Sequence, residues 1–118
     1  NRTAGLRVPT SEAENRRVEN RLAGSDANPY LAIAASLACG YLGMVEGLKP
    51  TDPISGSAYE LPFALPMTLA ESLRMLRTCK PLVDLFSERF VMAYGAVKEN
   101  EYETFLRVIS SWEREHLL

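Results

Sequence analysis

The sequence is 118 residues long, 47% hydrophobic and 24% charged, the proportions of one ordinary globular domain with a core of moderate size. A net charge of −2 and a pI near 5.4 argue against general binding to nucleic acid or to an anionic membrane. Basic character is local instead: the first stretch carries Arg2, Arg7, Arg16, Arg17 and Arg21 against Glu12, Glu14 and Glu19.

Two short extended runs open the chain, roughly over 2–8 and 16–22, joined by a polar hairpin connection from Thr10 to Asn15. Alternate side chains of a strand share a face, so Arg17, Glu19 and Arg21 line up about 7 Å apart, with Val18, Asn20 and Leu22 on the other side. Gly5 inside the first run is a candidate bulge, and one bulged residue would return Arg2 and Arg7 to a common face. Arginine offers a planar fork of donors matched to phosphate or carboxylate and stays charged at any working pH. Several arginines converging on neighbouring strands therefore suit a phosphate chain or an acyl phosphate. Glu19 has two readings. It neutralises its neighbours, which the pattern alone favours, or it ligates a hard cation such as magnesium. One carboxylate does not make a metal site, and no other carboxylate cluster stands obviously close to it.

A helix should follow, capped by Asn28, with Pro29 at its first position, running to about Gly47. It is apolar on nearly every side and rich in Ala and Gly, so it belongs in a core with cover on several faces. Asn28, Pro29, Ser36, Gly40 and Gly43 interrupt the uncharged stretch, which favours a buried helix over a membrane span. Lys49 to Leu65 is a long Pro-, Gly- and Ser-rich loop, the kind that closes over a site or packs on something else.

Thr68-Leu69-Ala70-Glu71 reads as a capping box opening a short helix with Leu69, Leu73 and Leu76 inward. Lys80-Pro81 ends it, and a one- or two-turn helix comes next. Ser87 then caps a long helix from about Glu88 to near the C-terminus. Phe90, Tyr94, Val97, Phe105, Val108, Ile109 and Trp112 form one buried stripe of it, and Lys98, Glu99, Glu101 and Glu103 its wet face. His116 reads as solvated. Cys39 and Cys79, in no metal or redox spacing, read as reduced buried thiols of a cytoplasmic protein.

The fold class is α+β: a two-stranded N-terminal β-ribbon over 1–24, then a mainly helical region over 25–118. Two strands alone are marginal in water, and the apolar helix needs more cover than the later helices provide. The chain opens on Asn1-Arg2, without methionine or an apolar signal segment. It reads as a single domain piece of a larger protein.

Asn1-Arg2-Thr3-Ala4-Gly5-Leu6-Arg7-Val8-Pro9, Arg16-Arg17-Val18-Glu19-Asn20-Arg21 and Ala27-Asn28-Pro29-Tyr30-Leu31 together resemble the C-terminal part of the catalytic domain of the glutamine synthetase superfamily. The likeness continues through Gly56-Ser57-Ala58-Tyr59-Glu60-Leu61-Pro62 to Ser111-Trp112-Glu113-Arg114-Glu115-His116. The Trp-Glu-Arg-Glu ending is most similar to the γ-glutamylputrescine and γ-glutamylpolyamine branch. The resemblance implies an ATP-dependent ligase that joins ammonia or an amine to glutamate through γ-glutamyl phosphate. It assigns Arg2 to the transferring phosphoryl group, Arg7 and Arg17 to the ATP phosphates, Glu19 to a Mg2+ or Mn2+ ion, and Arg21 to the glutamate carboxylate. Many members carry a lysine shortly before the Arg-Arg pair; here Glu14 and Asn15 stand near that place, beside Arg16. The resemblance further implies a cytoplasmic, ring-forming homo-oligomer, with neither nucleic acid nor membrane as partner. The family's other metal ligands and its acidic residue at the amine site lie upstream of Asn1, so the 118-residue chain alone is expected to be inactive.

The competing reading from the residues is a small helical interaction module whose arginine-rich head binds an acidic partner or RNA. No aromatic side chain lies among the arginines to stack on bases. A third reading is a helical assembly piece that self-associates through apolar faces.

Overall fold

A computed structural model describes residues 2–62 and 65–117, which fall into two compact units, Asn1–Leu65 and Pro66–Leu118. The first unit starts with an antiparallel ribbon of two very short strands, β1 (Leu6–Arg7) and β2 (Glu19–Asn20). Leu6 faces Asn20 and Arg7 faces Glu19. A 3-10 turn over Ala13–Asn15 lies in the connection. The extended runs expected over 2–8 and 16–22 thus pair only at their centres. The Arg21 N–H donates to the Gly5 carbonyl at 2.9 Å, which continues the same register without an offset. Gly5 therefore marks a close approach and not a bulge: a Cβ there would stand 2.3 Å from Cδ2 of Leu22.

Helix α1 (Pro29–Val45) begins as the residues dictate, with Asn28 Oδ1 accepting from the N–H groups of Tyr30 and Leu31 and Pro29 in the first turn. It ends where Gly47 takes φ +63°, so that Gly47 N–H reaches the Met44 carbonyl and Leu48 N–H the Gly43 carbonyl. The expected cover is not supplied. Ala38 is the buried residue of α1, whereas Tyr30, Ile33, Leu37, Tyr41 and Met44 stand exposed. Cys39 is exposed too, contrary to the buried thiol expected, and Cys79 is half-buried; both are free. Within the 49–65 loop a 3-10 turn forms at Ala58–Glu60, capped by Ser57.

The second unit is a helical cluster of α2 (Leu69–Thr78), α3 (Lys80–Phe86) and α4 (Glu88–Leu106), followed by α5 (Ser111–His116). Thr68 Oγ1 accepts the Glu71 N–H as foreseen, but the Glu71 carboxylate reaches back to the Met67 N–H, one residue beyond a capping box. Leu73 of α2 and Val91 of α4 form the buried centre, with Leu69 and Leu76 half-buried beside them. Arg77 and Glu99 join α2 to α4 through two short contacts of 2.6 and 2.8 Å, so Glu99 is not merely a residue of the wet face. Lys98 pairs with Glu101 as a solvated pair would.

The long C-terminal helix is interrupted. Ser110 Oγ accepts the Glu113 N–H while the Glu113 carboxylate accepts the Ser110 N–H, a reciprocal cap that starts α5 afresh. The stripe expected to be buried is also open: Val97, Phe105, Val108, Ile109 and Trp112 are exposed. Val91 and Gly95 are the buried residues of α4. His116 is exposed as expected, its ring stacked on Trp112 at 4.8 Å. Among the described residues no helix is long and apolar enough to cross a membrane.

Candidate functional site

The ribbon register decides the site. Arg7 lies directly across from Glu19, and directly opposed residues of an antiparallel pair project to the same face. Arg17 and Arg21, two residues either side of Glu19 along the chain, share that face by the strand period. All three guanidinium groups meet one carboxylate. Arg7 Nη1 donates to both Glu19 oxygens, at 3.2 Å to Oε1 and 3.0 Å to Oε2. Arg17 Nη2 reaches Oε1 at 3.2 Å, and Arg21 Nη2 reaches Oε2 at 3.1 Å. The convergence anticipated for 17, 19 and 21 is present, and Arg7 joins it from the other strand. Strand alternation alone could not give that pairing, because it requires the hairpin register.

Electrostatics follow from the geometry. The hydrogen bonds from Arg7, then those from Arg21, hold the Glu19 carboxyl below its ordinary value of 4.5; the charge of Arg17 adds to this and partial burial opposes it. Three guanidinium charges against one carboxylate leave an excess of positive charge on this face. Arg7 and Arg17 keep 50% and 59% of their side chains exposed, while Glu19 keeps 27%. The acid thus sits at the bottom and its arginines open outward. Each guanidinium has five N–H donors, so Arg7 and Arg17 retain donors for an anionic ligand after engaging Glu19.

Arg2 is exposed and, among the described residues, forms no ion pair with this cluster. Its neighbour Thr3 is held: Thr3 Oγ1 accepts the Ala58 N–H at 2.8 Å, which brings the 3-10 turn of the 49–65 loop to the start of the ribbon. Glu14 and Asn15 sit in the turn between the strands, away from the paired residues.

As a metal ligand Glu19 offers a hard oxygen pair kept anionic, which suits magnesium or manganese. Both oxygens already accept from guanidinium groups, and among the described residues no group of three His, Cys, Asp or Glu side chains stands ready to hold a metal. Glu19 therefore fits one ligand position of a cation and not a whole metal site.

On the opposite face, Asn20 Nδ2 donates to Ser36 Oγ of α1 at 2.8 Å, and Asn20 Oδ1 accepts the Leu22 N–H at 3.0 Å. Nothing in the sequence pattern singled out this link. An Asn in a strand followed by a lone Ser inside an Ala-rich helix was the only available signal.

Comparison with known proteins bears on this arrangement. Residues 1–117 match the family described as glutamine synthetase, catalytic domain. The chain is 40% identical over 117 residues to a glutamate–isopropylamine ligase of Pseudomonas sp, covering 96% of this chain and 26% of that protein. It is 37% identical over 121 residues to the γ-glutamylputrescine synthetase of Escherichia coli strain K12, covering 100% of this chain and 25% of the relative. A type-1 glutamine synthetase of Dictyostelium discoideum is 36% identical over 124 residues, covering 100% of this chain and 24% of its own length. The chain thus spans about a quarter of the length of the curated relatives it matches.

Proposed function

The chain belongs to the glutamine synthetase catalytic-domain family, and from that membership we propose that it supplies one wall of the active site of an ATP-dependent ligase joining ammonia or an amine to glutamate. In the first step a carboxylate oxygen of the glutamate side chain attacks the γ-phosphorus of ATP, forming γ-glutamyl phosphate and releasing ADP. In the second, the amine nitrogen attacks the acyl carbon, phosphate leaves with the bonding electrons, and the nitrogen loses a proton.

The residue roles are those that likeness to the family implies, and the charge and placement of the side chains support them. Arg7 and Arg17, open to solvent with donors to spare, bind the phosphates of the nucleotide. Arg2 contacts the transferring phosphoryl group, and Arg21 grips the glutamate carboxylate. Glu19 takes one ligand position of a Mg2+ or Mn2+ ion, which when bound supplies neutralising charge beside the phosphates. Phosphoryl transfer asks the protein chiefly for positioning and fixed charge, and a wall of guanidinium groups gives both. The single observation that carries this reading is the meeting of Arg7, Arg17 and Arg21 on the Glu19 carboxylate within 3.2 Å.

Of ammonia and the amines, an alkylamine or polyamine is the acceptor favoured. Two of the relatives described are named for isopropylamine and putrescine, and the Trp112-Glu113-Arg114-Glu115 ending points the same way. The complete protein works as a cytoplasmic homo-oligomeric ring, and this chain alone lacks turnover.

The test is Arg21→Ala in the complete enzyme. Loss of a charge-assisted hydrogen bond, about 1.5–3 kcal/mol, should raise the glutamate KM by about 10- to 100-fold and the ATP KM far less. Equal losses for both substrates would remove Arg21 from the glutamate carboxylate.

A further inference from the structure

Within this chain the ladder that carries the site is short. Two residues pair with two, one further bond joins Arg21 N–H to the Gly5 carbonyl, and an isolated two-stranded ribbon is marginal in water. A further hold on β2 within this chain comes from outside the ladder. The back of the strand supplies it. Asn20 lies between Glu19 and Arg21 in the chain, paired across the ladder with Leu6, and it spends each end of its amide differently. Nδ2 donates to Ser36 Oγ at 2.8 Å; Oδ1 accepts the Leu22 N–H at 3.0 Å, just past Arg21. Ser36 in turn donates to the Ala32 carbonyl one turn back in α1, at 2.8 Å.

This relay permits only one polarity. The Ser36 proton is committed to Ala32, so Ser36 Oγ can only accept from Asn20, and the backbone N–H of Leu22 can only donate. The amide is fixed in one orientation by its neighbours, and it fastens both the strand and its exit to a 17-residue helix. We infer that Asn20 and Ser36 are positioning residues of the site: they anchor β2 to α1 from behind and so fix where Arg17, Glu19 and Arg21 stand in front. The inference rests on the ligase reading of the front face. A guanidinium at the end of a long side chain magnifies any swing of its strand. Misplacement of about 1 Å in such a site costs about 100-fold in rate, so partial release of the anchor should be visible in kinetics.

The experiment uses the complete enzyme with Asn20→Leu, Ser36→Ala, the double variant and Ser36→Thr, which keeps the hydroxyl. Two readouts are taken: glutamate and ATP kinetics, and hydrogen exchange of the Arg21 N–H. Asn20→Leu and Ser36→Ala should each lower kcat/KM for glutamate by about 5- to 20-fold and speed Arg21 exchange. The double variant should be no worse than Asn20→Leu, because both break one link. Ser36→Thr should match the parent in both readouts. Unchanged Arg21 exchange in Ser36→Ala overturns the anchor, and so do losses that add in the double variant. The Arg21→Ala control separates the two layers. If it leaves glutamate kinetics untouched while the anchor variants still speed exchange, the assignment of Arg21 to the glutamate carboxylate falls and the mechanical link alone stands.

Discussion

Glu19 is the residue on which the site turns, and its protonation reports whether the arginines hold it. The Arg7 hydrogen bonds come first in keeping its carboxyl below 4.5, with Arg21 next and the Arg17 charge behind. A carboxyl whose folded value is depressed contributes stability above its unfolded value and loses that contribution as pH falls through the folded value. The ribbon should therefore keep its cluster intact at pH 5 and loosen only in more acid solution, below the ordinary 4.5. Titration of the Glu19 carboxyl by NMR should give a midpoint under 4.5, and Arg7→Gln should move it upward. A midpoint at or above the ordinary value, unmoved by Arg7→Gln, would mean that the cluster does not hold in solution. These pairs are exposed enough that little fold stability depends on them. That separates the cluster from scaffolding and favours a binding role.

At the scale of the elements, the second unit is centred on two buried apolar side chains carried by packed helices. Leu73 and Val91 are each 3% exposed, and they stand on α2 and α4, which pack together. Leu73→Ala should cost about 2–5 kcal/mol in urea unfolding, the range for deleting a buried leucine side chain. Asn28→Ala in the first unit should cost about 1 kcal/mol, since two N–H groups of α1 lose their acceptor. Arg77→Ala should weaken the second unit only modestly, with a difference that shrinks as salt is raised. The caps that begin α1, α2 and α4 were legible because Asn28, Thr68 and Ser87 act on N–H groups two or three residues away. The arginine-and-glutamate face was legible for the same local reason. The Arg7–Glu19 opposition, the Asn20–Ser36 link and the Arg77–Glu99 bridge join residues 12, 16 and 22 apart in the chain, and no period in the sequence encodes such pairings. The break before α5 was local and still missed. Ser110 and Glu113 form a cap signal, but they lie inside an apolar stripe that continues the helical period.

For the chain as a whole, the governing fact is how little apolar surface finds cover. The apolar side chains buried among the described residues are Pro9, Ala38, Leu73 and Val91. On α1, Tyr30, Ile33, Leu37, Tyr41 and Met44 are each more than half exposed, and in the last segment Phe105, Val108, Ile109 and Trp112 are as well. Scattered exposed leucines are normal on proteins; a helix exposed on most of its apolar face is a surface that water disfavours. At about 25 cal/mol per Å2, covering even several hundred Å2 of it is worth several kcal/mol, enough to drive association of the 118-residue chain with itself. The chain in isolation should therefore show concentration-dependent oligomers in light scattering between micromolar and millimolar concentration. Leu37→Glu and Met44→Lys on α1 should shift that transition to higher concentration without lowering helix content, because both positions are exposed. Strict monomer behaviour of the parent chain across that range would mean that these faces are less accessible to water than their exposure implies.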